Sequence, residues 1–382
     1  MHCSLKRNVY LLCWVSFLQG MVFYGPIATL YRLSAGISVF QITLIESISL
    51  ALCVALELPW GIAADRIGYK NTMLVCTGLY FLSKIVFWRA DGFAMFLLER
   101  VMLSVVIAGI SGVDVSILYL SCEPGSSQRI FGIYNALNTG GLLLASGVYA
   151  LFIGSNYRLA GFLTVISYGL AAGAVPFLRE VRPAESRARR PGALRRILRE
   201  TVRDRRLLLF LISTALLNEA HQTITVFLSQ LQYVRCGMGP RAIGGVCVLV
   251  TLAGLTGVLS HPLTKRLGFR RGGAAAYLCC IAACAALALT RSALLSAAAV
   301  LALRIAFSLF QPLQTELQNR RVTAADRATA LSVNALLLDG TAIATNLIYG
   351  AAAERALPLA LLLGAGSCAL GLGLYLWGSA DF

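Results

Sequence analysis

The chain has 382 residues, of which 58% are hydrophobic and only 13% charged, with a mean hydropathy of +0.75 and a net charge of +16. A soluble globular chain carries about 25% charged and about 45–50% apolar residues, so this composition points to an all-α, polytopic membrane protein. It excludes disorder, and continuous apolar runs, in place of short alternating segments, exclude a membrane β-barrel.

Apolar runs bounded by charges, prolines or glycines predict twelve spans, at 9–31, 39–62, 72–89, 93–119, 130–153, 159–178, 207–231, 241–263, 273–290, 293–315, 328–350 and 357–377. The first follows Lys6 and Arg7 like a signal peptide, but it lacks a cleavage site and runs straight on to a second span, so a retained helix is expected. Between the sixth and seventh spans lies the one clear linker, 179–206, which divides the chain into six-span halves at 1–178 and 207–382. In it Leu194, Ile197 and Leu198 alternate with Arg195, Arg196, Arg199 and Arg203, a spacing that predicts an amphipathic helix suited to an anionic lipid surface.

Of the 33 lysines and arginines, 23 fall in the N-terminus, the even-numbered connections and the linker, and seven in the odd-numbered ones. By the positive-inside rule both termini are cytoplasmic, in a cell (inner) membrane. The excess positive charge is thereby explained by topology, and no nucleic-acid partner is expected.

An internal repeat links the halves. Gly61-Ile62-Ala63-Ala64-Asp65-Arg66-Ile67-Gly68-Tyr69-Lys70 follows the second span, and His261-Pro262-Leu263-Thr264-Lys265-Arg266-Leu267-Gly268-Phe269-Arg270 follows the eighth. Equivalent positions in two six-span halves imply two homologous bundles. The first copy resembles the signature loop of the major facilitator superfamily, and the string from Glu57 to Lys70 is similar to a drug-efflux-like branch of bacterial permeases. The resemblance covers the whole chain. It implies two pseudo-symmetric six-helix bundles working by alternating access, a central cavity lined by the first, fourth, seventh and tenth helices, and a loop that governs switching. Gly61, Asp65, Arg66, Gly68 and Lys70, with Asp114 in the fourth span, are the candidate latch. Asp114 is expected to pair with Arg66 or Arg129. Two departures stand out: Lys265 replaces the acid in the second copy, and the fifth span carries Asn138, Gly140, Gly141 and Gly147 but no proline, which weakens the case for efflux by antiport.

Charges inside hydrocarbon cost at least about 2.5–3.5 kcal/mol, so those in the spans mark a pathway or a paired knot. The seventh span holds Asn218-Glu219-Ala220-His221-Gln222, with Glu219 near mid-membrane. A carboxylate and a histidine there can carry protons, or they can form an interhelical hydrogen-bond knot. Arg100 and Arg304 occupy comparable places in the fourth and tenth spans and suit an anionic group or an acid partner. Glu99 lies near the outer end of its span, where it can reach water. Glu46 and Asp339 are further proton candidates, and Gln19, Gln311 and Gln314 can hydrogen-bond a polar ligand. The eleven cysteines, mostly within spans, read as small apolar packers. No CxxC pair, Walker loop or HExxH is present, so neither metal, cofactor nor enzyme chemistry is expected.

The residues therefore suggest a monomeric secondary transporter of a small molecule, proton-coupled, with export slightly favoured. Import or facilitated passage of a polar or anionic solute is the alternative, and a non-transporting membrane sensor is a third reading.

Overall fold

The computed structural model describes residues 2–123, 126–181, 203–320 and 327–378, with 199 and 201, and their side chains except at 2–5, 58, 61, 62, 65, 319, 320 and 327–332. The amphipathic segment 194–203 lies largely outside the described residues. All the regular structure among the described residues is helical. The helices are α1 (His2–Gly20), α2 (Ala28–Ser34), α3 (Val39–Ile67), α4 (Tyr69–Arg89), α5 (Phe93–Ile110), α6 (Val113–Ser121), α7 (Ser127–Val148) and α8 (Tyr157–Ala174). They continue with α9 (Arg205–Gln222), α10 (Ser229–Arg235), α11 (Pro240–Ala253), α12 (Ser260–Leu289), α13 (Ala293–Arg320), α14 (Arg327–Arg355) and α15 (Leu357–Gly378).

Among the described residues, 11 stretches are long and apolar enough to cross a membrane. One of them, Pro240–Leu289, has 50 residues, about 75 Å of helix against a hydrocarbon core of about 30 Å. It breaks at Gly268, whose φ of 77° and ψ of 163° are not helical. Two crossings therefore fit in it, which agrees with twelve spans.

The repeat is visible in backbone conformation. Gly68 adopts φ 93°, ψ 152° and Gly268 adopts φ 77°, ψ 163°, a region that favours glycine. The register is constant: α4 ends at Arg89 and α12 at Leu289, α5 and α13 start at Phe93 and Ala293, and α8 and α15 start at Tyr157 and Leu357.

The chain forms two compact units. The first contains Met1–Ile37, Ile48–Arg187 and Pro240–Val248. Part of its core joins Leu12, Val15 and Leu18 of α1 to Met73 of α4, Ile117 and Leu118 of α6 and Ala171 of α8. α1 and α7 meet closely because Gly20 and Gly141 lack side chains: a Cβ on Gly141 would strike the Phe17 carbonyl, and one on Gly20 the Asn138 carbonyl.

The first span is broken after Gly20, ahead of a turn that contains Pro26. Backbone groups freed inside a bilayer need protein partners, and one face of α8 supplies them. Ser167 donates to the Leu18 carbonyl, Tyr168 to the Gln19 carbonyl at 2.7 Å, and the Thr164 hydroxyl accepts the Phe23 N–H at 3.0 Å.

The second unit contains Ser38–Ser47, Ala188–Gly239 and Leu249–Phe382. Here the start of α3 runs along α14. Glu354 accepts the Phe40 N–H at 2.9 Å, Ser47 donates to the Ile343 carbonyl at 3.2 Å, and Gly350 lies against Thr43. α9 continues into a π-helical segment, Thr223–Leu228, a distortion frequent at functional sites.

Candidate functional site

The second unit gathers a polar cluster from four elements. Glu219 on α9 stands within electrostatic reach of Asp339 on α14 and Glu46 on α3. Glu46 is held there by the contacts of Phe40, Thr43 and Ser47 with α14. The side chain of Glu46 is 6% exposed, and those of Glu219 and Asp339 are half-buried. Three of the sequence candidates, scattered over almost 300 residues, thus form one acidic group.

On the same helix His221 is buried and stacks flat on Phe307 of α13, with ring centroids 3.8 Å apart and 6° between planes. Arg304, one turn before Phe307, interacts electrostatically with His221. Its guanidinium occupies the space that a side chain on Gly254 would fill. Thr223 donates to Asn346 at 3.1 Å, tying α14 to the start of the π-helical segment.

The cluster is rich in unsatisfied polar atoms. Among the described residues, buried Asn218 Oδ1, Glu219 Oε2, His221 Nε2 and Arg304 Nε have no hydrogen-bond partner; Gln314 lies on α13 about 15 Å beyond Arg304. Burying such atoms without partners costs about 1–3 kcal/mol each, so donors and acceptors gathered in this way suit a polar ligand or water. Gln222 and Gln311, by contrast, are exposed.

Several sequence expectations change. Arg100 and Arg304 are not equivalent, because the register pairs Phe93 with Ala293 and hence Arg100 with Val300, one turn short of Arg304. Arg100 is half-buried in the first unit. Glu99 does not reach water. It is 1% exposed, and its carboxylate pairs with Lys84 at 3.4 Å, because α4 packs against α5. Asp114 does not rely on Arg66 or Arg129. Tyr134 donates to it at 2.9 Å, and its other oxygen accepts the Val115 N–H at 2.7 Å, so it places an acid in the first turn of α6.

In the latch loop, Arg66 is exposed and Lys70 half-buried; the side chain of Asp65 and that of Gly61 lie outside the described residues. The decisive partner was missed in the sequence. Glu180, just past the sixth span, accepts the N–H groups of Tyr69 at 3.0 Å and Lys70 at 3.3 Å. It thereby places an anion at the N-terminus of α4. A Cβ on Gly68 would come 2.6 Å from Glu180 Oε2, and the φ of 93° is strained for any other residue. Gly68→Ala is expected to cost about 1–2 kcal/mol and to lower the midpoint of thermal unfolding in detergent. Glu180→Gln, which retains an acceptor but loses the charge, should lower it less. Equal midpoints for wild type and Gly68→Ala would refute this account of the loop. The available signal was Glu180 as an acid shortly after Pro176, at the head of an arginine-rich linker.

A helical membrane protein of two repeated units, with a polar cluster inside its spans, defines the transporter class. Residues 9–345 match the model of the Major Facilitator Superfamily, and the chain belongs to that family. Among solved structures it is similar to the nucleoside transporter NupG, with 17% identity, coverage of 98% of this chain and 100% of the other, and a TM-score of 0.82. It is also similar to a bacterial homologue of the human lysosomal transporter Spinster, at 19% identity, 99% and 96% coverage and a TM-score of 0.72. A third similarity is to the human organic anion transporter MFSD10 (TETRAN), at 16% identity, 97% and 99% coverage and a TM-score of 0.62. At these identities the likeness shows the fold alone. No curated protein matches the chain in sequence.

Proposed function

We propose that this protein is a proton-coupled transporter that moves a small polar solute across the cytoplasmic membrane by alternating access, with both termini inside. The observation that carries the coupling is the convergence of Glu219, Asp339 and Glu46 beside atoms that lack partners. Like charges at such proximity repel, and a proton bound among them relieves the repulsion. Glu219 interacts with both of the other acids and is the proposed proton carrier. The proposed solute site is the neighbouring surface of Asn218, His221 and Arg304, which offers both donors and acceptors. Arg304 favours a solute with an anionic or strongly electron-rich group. The membrane orientation rests on the 23-to-seven distribution of basic residues.

The test is transport by purified protein in proteoliposomes with an imposed pH gradient. The panel comprises nucleosides and organic anions, the solute classes of two similar structures, and amphipathic cations, which the drug-efflux resemblance suggests. Solute movement that follows the pH gradient and collapses with a protonophore supports the reading. Solute movement indifferent to the gradient would leave a facilitator, and no movement of any solute would refute transport of these classes.

A further inference from the structure

The first unit holds a buried cation that the proposed transport chemistry does not use. Lys84 of α4 is 4% exposed. Its ammonium donates to the Tyr24 hydroxyl at 3.0 Å and pairs with Glu99 at 3.4 Å. It also lies 5.7 Å from the ring centroid of Tyr24, 5.0 Å from that of Tyr80 and 5.3 Å from that of Tyr168. The rings of Tyr80 and Tyr168 lie within the roughly 6 Å over which a ring face attracts a cation, whereas Tyr24 meets the ammonium through its hydroxyl. Glu99 is 1% exposed, and its Oε2 has no hydrogen-bond partner among the described residues.

The repeat shows that the fold itself does not demand this arrangement. Through the register that pairs Arg89 with Leu289 and Tyr157 with Leu357, the residues Tyr24, Tyr80, Lys84, Glu99 and Tyr168 correspond to Ile224, Cys280, Cys284, Ala299 and Cys368. Four of those counterparts also meet. Cys284 interacts with Cys280 and Cys368, and Ile224 and Cys284 both border Gly364. All five are buried. One bundle thus fills this place with small apolar groups, and the other fills it with a cation, a carboxylate and three aromatic rings. A buried ion pair is often no more stabilising than a well-packed apolar substitute, so the pair is an addition to the fold.

Two aromatic rings, a phenolic hydroxyl and a carboxylate around one point are chemistry that recognises an ammonium group. We propose that Tyr24, Tyr80, Tyr168 and Glu99 form an ammonium-binding cage whose ligand is the tethered Lys84, and that this occupancy pins the break in the first span. The link to the break is direct. Tyr24 is in the broken segment, and Tyr168, whose ring faces the ammonium, donates to the Gln19 carbonyl on the other side of the break. The ammonium therefore joins both ends of the interruption to α4 and α5.

The probe is methylammonium chloride, added to purified full-length protein in a neutral detergent, with sodium chloride at equal concentration as the control. Lys84→Ala empties the cage and should melt several degrees below wild type. Methylammonium should raise that midpoint in a saturable way and leave wild type, whose cage is filled, unchanged. Lys84→Ala combined with Glu99→Gln should lose the response. Amide exchange at Met21–Tyr24 should rise in Lys84→Ala and fall again with methylammonium, while exchange in α15 stays constant. Lys84→Cys, which matches the second bundle, leaves room for the same probe and serves if Lys84→Ala does not fold. The proposal is overturned if methylammonium does no more than sodium chloride. It is equally overturned if wild type or the Glu99→Gln combination responds as strongly, or if exchange at the break does not follow occupancy.

Discussion

Glu219→Gln is expected to reduce pH-gradient-driven transport by about 100-fold or more, on the scale of losing a positioned proton-transfer group, while solute counterflow at equal pH persists. Glutamine keeps the size and much of the hydrogen bonding of glutamate but cannot exchange a proton. The substitution therefore separates coupling from solute binding. Asp339 and Glu46 lie close enough to feel the Glu219 charge, so Asp339→Asn and Glu46→Gln should change the pH at which transport responds. Their effects should not simply add to that of Glu219→Gln, because substitutions at interacting residues couple. The measurement is uptake into proteoliposomes with and without a pH gradient, paired with counterflow. Gradient-driven uptake in Glu219→Gln at the wild-type rate would refute the assignment of coupling to this cluster.

Gly141→Val is expected to prevent normal assembly of the first bundle or to cost about 1–3 kcal/mol, the usual range for overpacking. The atoms that a Cβ would meet belong to the backbone of α1, at Phe17 and Gly20. A side chain can rotate out of the way, but a helix backbone can yield only by moving the whole helix. Gly140→Val is the matched control, since nothing lies within 4 Å of a Cβ at Gly140. Thermal unfolding and the recovery of monodisperse protein in detergent distinguish the two. Similar behaviour of both variants would show that the close approach of α1 and α7 does not limit stability.

These two glycines illustrate how much of the molecule is legible in sequence. Gly140-Gly141 reads as a close helix contact, but the choice of glycine depends on which way α7 is rotated, and that is decided by its neighbours. Gly68 and Gly268 are different. Their conformation is local, their flanking residues repeat, and both take the same left-handed φ. Glu99 shows the opposite limit. Six residues from the start of α5 it looks able to reach water, yet Lys84 of the neighbouring helix seals it. The cage residues Tyr24, Tyr80, Lys84, Glu99 and Tyr168 come from the broken first span and three further helices, and no spacing in the chain relates them.

The sequence alone determined the membrane setting, the number and order of spans and the place of the repeated loop with its glycines. Those depend on contiguous residues: about twenty apolar side chains cross hydrocarbon wherever they pack, and a turn takes the dihedrals its glycine permits. Only the tertiary structure decided that Glu46 joins Glu219 and Asp339, that Glu180 caps α4, and that Arg304 stands one turn from the counterpart of Arg100. The physical reason is helix rotation. Hydropathy places a residue at a depth in the membrane, but the direction it faces is set by packing against neighbouring helices.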